Sequence, residues 1–272
     1  MPDVVILGCG YTGGRVAQIL AGQGHSCRGY RRREGFDCRD AAQLRAIHDS
    51  IKPDTRVLLS VPTLRTTAEG LFEPTPALVR AVRGAGRLVY LSTTGVYGAA
   101  RHVDEHTPVA PRSQREQLRV DAERAVLAEP RSMVLRPAAI YGPFRGAHTA
   151  LREGRYGLPS SSGTFTSRIH VDDLAALTAA ALFSDLGGAW PVADEEPCSP
   201  LEIATFCCAL LHLPLPPVVD AAGLPETRRA DRQVDGSGLR RLLGVALRYP
   251  SYRQGIPASL ALEQASANSE TG

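Results

Sequence analysis

The sequence predicts an α/β fold: a doubly wound parallel sheet carrying a small C-terminal lobe on its substrate side. Three observations predict it. Short apolar runs (Val4-Val-Ile-Leu7, Arg56-Val-Leu-Leu59, Arg87-Leu-Val-Tyr-Leu91, Ser132-Met-Val-Leu-Arg136) have the texture of strands buried on both faces. Segments of about ten or more residues with helical spacing alternate with them, as parallel pairing requires. The first run also breaks at Gly8, Gly10 and Gly13, then resumes as a helix at Val16, Ile19 and Leu20.

A strand, Gly-x-Gly-x-x-Gly and a helix in that order form the dinucleotide-binding fingerprint of a Rossmann-type fold. Gly8 permits the tight turn, Gly10 lets a pyrophosphate approach the backbone, and Gly13 lets the helix pack close to the strand. Tyr11 and Thr12, between them, belong to the same cofactor-binding set. The helix N-terminus offers unpaired N–H groups and partial positive charge to the phosphates.

Residues 26–30 read as the second strand, followed by Arg31-Arg32-Arg33. An acid at this place would bond the ribose hydroxyls of NAD, whereas an arginine pairs with a 2′-phosphate. Arg31 and Arg32 therefore point to NADP(H), with NAD(H) the second option and a solvated basic turn the plain alternative. A helix is expected over 41–51, a third strand over 55–61 with its end passing under the cofactor, and a helix over 74–85. A strand over 87–93, a long helix from about 111 to 128 and a strand over 132–136 complete the pattern. Beyond Pro137 the chain turns rich in Gly, Pro and Ser, as befits loops over a site. A helix to about 184 begins after His170, with Asp172 or Asp173 as its N-cap. Helix 200–211 follows a short strand at 189–193. Residues 252–265 read as short helix and turn, and the last several as disordered. Residues 1–138 should form the nucleotide-binding domain, rejoined by 171–185. Residues 139–170 and 186–272 should form the substrate-side lobe.

Composition narrows the function. The 272 residues are 43% hydrophobic and 22% charged, with a net charge of +3 that argues for neither nucleic acid nor a membrane surface. No apolar segment is long enough to cross a bilayer, and no basic region precedes the first strand. The six cysteines show no Cys-x-x-Cys pair, which suits reduced thiols in a cytoplasm. His102 and His106 lack an obvious third ligand, so no metal is expected. Lys52 is the only lysine, so chemistry needing a lysine must use it or do without.

Taken together, several stretches resemble the extended short-chain dehydrogenase/reductase family, which includes sugar-nucleotide epimerases and dehydratases. They are the glycine fingerprint, Asp37 and Asp40, Leu91-Ser-Thr-Thr-Gly-Val-Tyr-Gly98, Arg136-Pro-Ala-Ala-Ile-Tyr-Gly-Pro143 and His170-Val-Asp-Asp173. Tyr249-Pro-Ser-Tyr-Arg-Gln-Gly255 is similar to the atypical, YeeZ-like branch of NAD(P)-dependent epimerase/dehydratase-like proteins. The resemblance implies that Asp37 bonds the adenine amino group, with Cys38 beside the ring. It implies that Val61 and Pro62 line the ribose and nicotinamide side. Ser92 and Pro137 would join this cofactor set, Pro137 along the nicotinamide and substrate, while Thr93 would bond the reacting oxygen.

The resemblance breaks in the helix after Pro111. Where the family places a catalytic Tyr and, four residues later, a Lys, this chain has Arg115 and Arg119. An arginine cannot deprotonate usefully, so the ordinary proton relay is absent. Three readings follow. The acid/base role has moved to Tyr97, Tyr141 or the Asp104-Glu105 pair, assisted by Thr93, in an NADP(H)-dependent oxidoreductase or epimerase. Alternatively, Arg115 and Arg119, sharing one helical face, clamp an anionic or sugar-like substrate. In the third reading the domain binds NADP(H) without turnover, as a sensor or regulatory protein. The plain alternative for Arg119 is an ion pair with Glu123. The expected partner is a small-molecule substrate, and the expected state a monomer or homodimer.

Overall fold

The computed structural model describes residues 3–66, 70–160, 163–220 and 231–270. Its organisation follows from β1 (Val4–Leu7), whose residues are all buried. Successive side chains of a strand point to opposite faces. Val4 and Ile6 accordingly enter one apolar cluster, and Val5 and Leu7 the other. A strand apolar at every position needs cover on both sides. On the first face α1 (Tyr11–Gly22) and α6 (Val171–Leu182) contribute Val16, Leu20, Leu174 and Leu177. On the second, α2 (Ala41–Ser50), α3 (Thr75–Ala81) and α4 (Gln114–Leu127) contribute Ile47, Leu78, Val79 and Val126.

Six parallel strands make the sheet: β1, β2 (Cys27–Tyr30), β3 (Arg56–Leu59), β4 (Arg87–Leu91), β5 (Ser132–Pro137) and β6 (Gly188–Val192). Their order is β6-β5-β4-β3-β1-β2. The chain steps outward from β1 to β2, then crosses back past β1 to β3. That reversal opens a crevice at the carboxyl ends of β1 and β3, where open α/β sheets bind ligands.

Two segments expected in the substrate-side lobe lie in the main body instead. β6 pairs with β5 along its whole length, from Gly188 against Met133 to Val192 against Pro137. Leu239 of α8 (Ser237–Leu243) packs in the same apolar cluster as Val4 and Leu174. Over the carboxyl edge sits a smaller core. It is built by α5 (Ala147–Arg152), α7 (Pro200–Leu211) and α9 (Tyr252–Glu270) around Tyr141, Leu151, Ile203, Cys207, Tyr252 and Ile256.

α9 is one continuous helix, where short helix, turn and a disordered end were expected. Two polar anchors hold it to the rest of the protein. Ser259 meets His170 at 3.1 Å. Glu263 accepts the Phe144 N–H at 2.5 Å and bonds His148 Nε2 at 3.1 Å. Residues 271–272 lie outside the described residues. The cap of α6 also differs from expectation. His170 Nδ1 accepts the Asp172 N–H at 3.2 Å. Asp173 instead turns inward to accept the N–H groups of Arg248 and Tyr249 at 2.7 and 3.0 Å.

Candidate functional site

The three fingerprint glycines have three different environments. Gly8 has φ +94°, and a Cβ there would lie 2.5 Å from the Ser60 carbonyl carbon. A Cβ on Gly13 would lie 2.7 Å from the Gly8 oxygen and 3.1 Å from Ile6. These two set the turn and the helix–strand approach. Around Gly10 no atom comes within 4 Å of a built Cβ, so its surface faces open space. Gly10 is also the N-cap of α1, without a side-chain cap and with no acid in the first turn. The positive end of the helix is left unneutralised, which suits a pyrophosphate. Thr12 is buried beneath the turn. Tyr11 reaches away from it, donating to the Pro143 carbonyl at 2.9 Å.

Beyond β2, Arg31 lies 3.4 Å from Glu34 and 3.5 Å from Cys9 Sγ, while Arg32 is exposed in the turn Arg32–Glu34. Asp37 is gripped by its neighbour: Arg39 donates to it at 2.9 and 3.1 Å, holding the carboxyl below its usual range. Cys38 is buried and its thiol is pushed up by desolvation. Past the end of β3, Val61 is half-buried and Pro62 exposed. Pro137 closes β5.

Beneath Thr93 lies a buried polar network. Ser92 donates to Glu123 Oε1 at 2.5 Å, and Arg136 bonds Glu123 with its closest contact at 2.7 Å. Arg136 Nη1 also donates to the Tyr97 hydroxyl at 3.1 Å. Thr93 Oγ1 accepts the Gly95 N–H at 3.1 Å and is half-buried. Glu123 and Arg136 went unassigned as partners in the sequence because their pairing joins a helix to a strand.

The two arginines in the Tyr and Lys positions are separated by burial. Arg115 is exposed. Arg119 is buried, bonded to Glu73 at 3.3 Å and to the Leu91 carbonyl at 3.0 Å. The common anion clamp expected of them is not formed, because Arg119's charge is already matched. Nor does Arg119 pair with Glu123.

The candidate acids diverge as well. Tyr97 is fully buried against Arg136, and burial raises its pKa despite that cation. Tyr141 donates to the Ser251 carbonyl at 3.2 Å, and burial pushes its phenol up, with Asp194 adding to the effect. Glu105 lies against Gly238 of α8, where a Cβ would be 2.6 Å from Oε1. Asp104 caps its own loop through Thr107 at 2.8 Å. These groups face different parts of the protein.

Beside the sheet's carboxyl edge is a cavity of about 390 Å³, lined by Tyr141, Tyr156, Arg145, Arg155 and Arg168 among others, with no acid in its lining among the described residues. Arg155 is paired with Glu153, and Arg168 donates to the Thr166 carbonyl at 2.8 Å and to Cys198 Sγ at 2.9 Å. Arg145 is exposed, its guanidinium 5.3 Å from the Tyr11 ring centre. The sequence offered only a hint of this cluster, since its arginines flank the Gly/Pro/Ser-rich loops. Tyr11 joins the two regions: it starts α1 and bonds the loop that carries Arg145.

Comparison with known proteins agrees with this architecture. A model described as "NAD dependent epimerase/dehydratase family" matches residues 4–155. A curated relative, the 3-diazoavenalumate denitrifying reductase of Streptomyces sp, is 29% identical over 215 residues, covering 70% of this chain and 71% of that protein. A functionally unknown conserved protein from Silicibacter pomeroyi DSS is 31% identical, with TM-score 0.75, covering 96% of this chain and 99% of that one. The Thermus thermophilus UDP-glucose 4-epimerase in complex with NAD shares the fold at TM-score 0.77 and 18% identity, over 96% of this chain and 99% of that one. The chain therefore belongs to the NAD dependent epimerase/dehydratase family, whose cofactor class is the nicotinamide dinucleotide that the glycine turn is built to receive.

Proposed function

We propose that this protein is an NADP(H)-dependent oxidoreductase that reduces a small anionic substrate. The observation that carries the reading is the Tyr11–Pro143 hydrogen bond, which joins the start of α1 to the loop whose next residues, Phe144 and Arg145, line the arginine-bearing cavity. In the proposed complex the first turn of α1 receives the pyrophosphate, Arg31 and Arg32 face the 2′-phosphate, and Asp37 lies at the adenine. Val61, Pro62, Ser92 and Pro137 border the other half. When bound, the nicotinamide supplies the hydride.

Arg145 and Arg168 hold the substrate anion in this reading, a guanidinium fork being suited to carboxylate or phosphate. The volume of about 390 Å³ is near the lower end for ligand sites, which supports a small molecule. The Thr93 hydroxyl, whose oxygen already accepts Gly95 N–H, directs its own proton to the reacting oxygen. Reduction is favoured over epimerisation for a chemical reason. Reduction consumes one hydride and one solvent proton, delivered through Thr93. Epimerisation through an oxidised intermediate must instead remove and return a proton within one turnover, and Arg115 and Arg119 cannot serve as that base. The similarity to a denitrifying reductase supports the same direction.

The burial of Tyr97 and Tyr141 favours a second reading, a dinucleotide-binding sensor without turnover. One experiment separates the two: NADPH oxidation followed over a panel of sugar nucleotides, keto acids and aromatic carboxylates. Turnover that shows a higher KM and unchanged kcat in Arg145→Ala supports the enzyme. Tight NADPH binding with no oxidation across the panel supports the sensor.

A further inference from the structure

Resting on the dinucleotide reading above, we propose that Glu73 and Arg119 are positioning residues that fix the two walls of the nicotinamide half of the cleft. The dinucleotide straddles the reversal between β1 and β3, so one half extends toward β2 and the other over β3 and β4. The far half is bordered by residues 61–63 after β3 and by the end of β4. Glu73 and Arg119 tie these borders together.

The connections form one chain. Arg119 Nη2 donates to the Leu91 carbonyl at 3.0 Å, next to Ser92 and Thr93. Its Nη1 donates to Glu73 Oε2 at 3.3 Å. The Thr63 hydroxyl donates to the same oxygen at 2.5 Å. Thr75 donates its hydroxyl and its N–H to Glu73 Oε1 at 2.5 and 3.1 Å. Thr63 and Glu73 flank the hairpin of Leu64–Thr66 and Gly70–Phe72, so their bond closes its base right after β3. The Arg119 and Glu73 side chains are only 9% and 4% exposed.

Burying such a pair brings little net stability, since desolvation offsets the attraction and an apolar pair could fill the space. What it does bring is a fixed distance. Among the described residues Glu73 accepts from three on different segments, so movement of either wall strains the same carboxylate. Neither group presents a free charge to a ligand; they act through Thr63 and Leu91.

The test uses calorimetric titration of the full chain with NADPH and with 2′-phospho-ADP, which lacks the nicotinamide and its ribose. NADH and ADP form a parallel pair. Glu73→Gln and the milder Thr63→Val, which removes one hydroxyl, should weaken the complete dinucleotide at least tenfold and the truncated one less than twofold. Arg119→Lys, keeping the charge but losing the fork, should fall between these variants and the wild type. Equal weakening of both ligands, or none in Thr63→Val, would overturn the proposal. Wild-type protein that binds neither the complete nor the truncated ligand would refute the dinucleotide reading itself, and the proposal with it.

Discussion

Arg119 bonds Glu73 from a distant loop at 3.3 Å, although Glu123 stands one turn away on the same helix. Side chains four apart on a helix are ordinarily neighbours. Here Glu123 is held from the other side by Arg136 at 2.7 Å, and α4 is anchored twice to the carboxyl edge of the sheet. Glu123→Ala would leave Arg136 buried without its partner. The expected loss is about 3–5 kcal/mol of unfolding free energy in urea titration. Asp121→Ala, breaking the exposed pair with Arg124, should cost no more than about 0.5 kcal/mol.

The glycines of the turn should respond differently. Gly8→Ala forces a side chain into positive φ and against Ser60, so the protein should lose at least about 1–2 kcal/mol of stability. A Cβ at Gly10 meets no protein atom, so Gly10→Val should lose less stability than Gly8→Ala, yet lose dinucleotide binding. Thermal unfolding and cofactor titration of both variants check this contrast.

Arg31→Ala combined with Arg32→Ala should weaken NADPH at least tenfold and leave NADH within about twofold, because charge-assisted contacts to phosphate are the strong ones. Equal loss for both cofactors would reduce the basic turn to a solvated loop.

His170 contributes a pH dependence. Burial, the largest cause, lowers its pKa from 6.5 to about 4, against an opposing effect of Asp172. The folded value lies below the unfolded one. Its stabilising effect is therefore present above pH 6.5 and lost as pH falls through about 4. Protonating Nδ1 would also remove the cap on Asp172 N–H. His170→Asn retains a capping acceptor. Denaturant titrations between pH 7 and pH 4 should show a shallower acid loss in this variant than in the wild type.

Thr93→Val should abolish turnover while leaving NADPH affinity within about twofold. Steady-state rates beside binding titrations measure the split, and retained activity would remove Thr93 from the reaction.

The readability of the chain followed the range of its interactions. The glycine turn and β1 could be read directly, because three glycines and four apolar residues specify a local geometry. The start of α4 was also locally encoded: Ser113 and Glu116 form a capping box, although the helix was expected to start nearer Pro111. β6 was harder to place. It contains Pro191 and lies at the sheet edge, where a proline is tolerated and the apolar pattern is weaker. His170 lies outside the usual capping residues, which explains the misassigned cap of α6. Arg145, Arg155 and Arg168 line one cavity only because two loops and the strand Arg168–His170 converge, and no spacing announces that. The same holds for Glu73, whose partners come from a strand end, a helix and its own turn.

The most direct test of the account is calorimetric titration of the wild-type chain with NADPH and NADH. Saturable binding of NADPH, at least tenfold tighter than NADH, is the predicted result. Failure to bind either cofactor would contradict the assignment at the glycine turn, from which the rest of the proposed function follows.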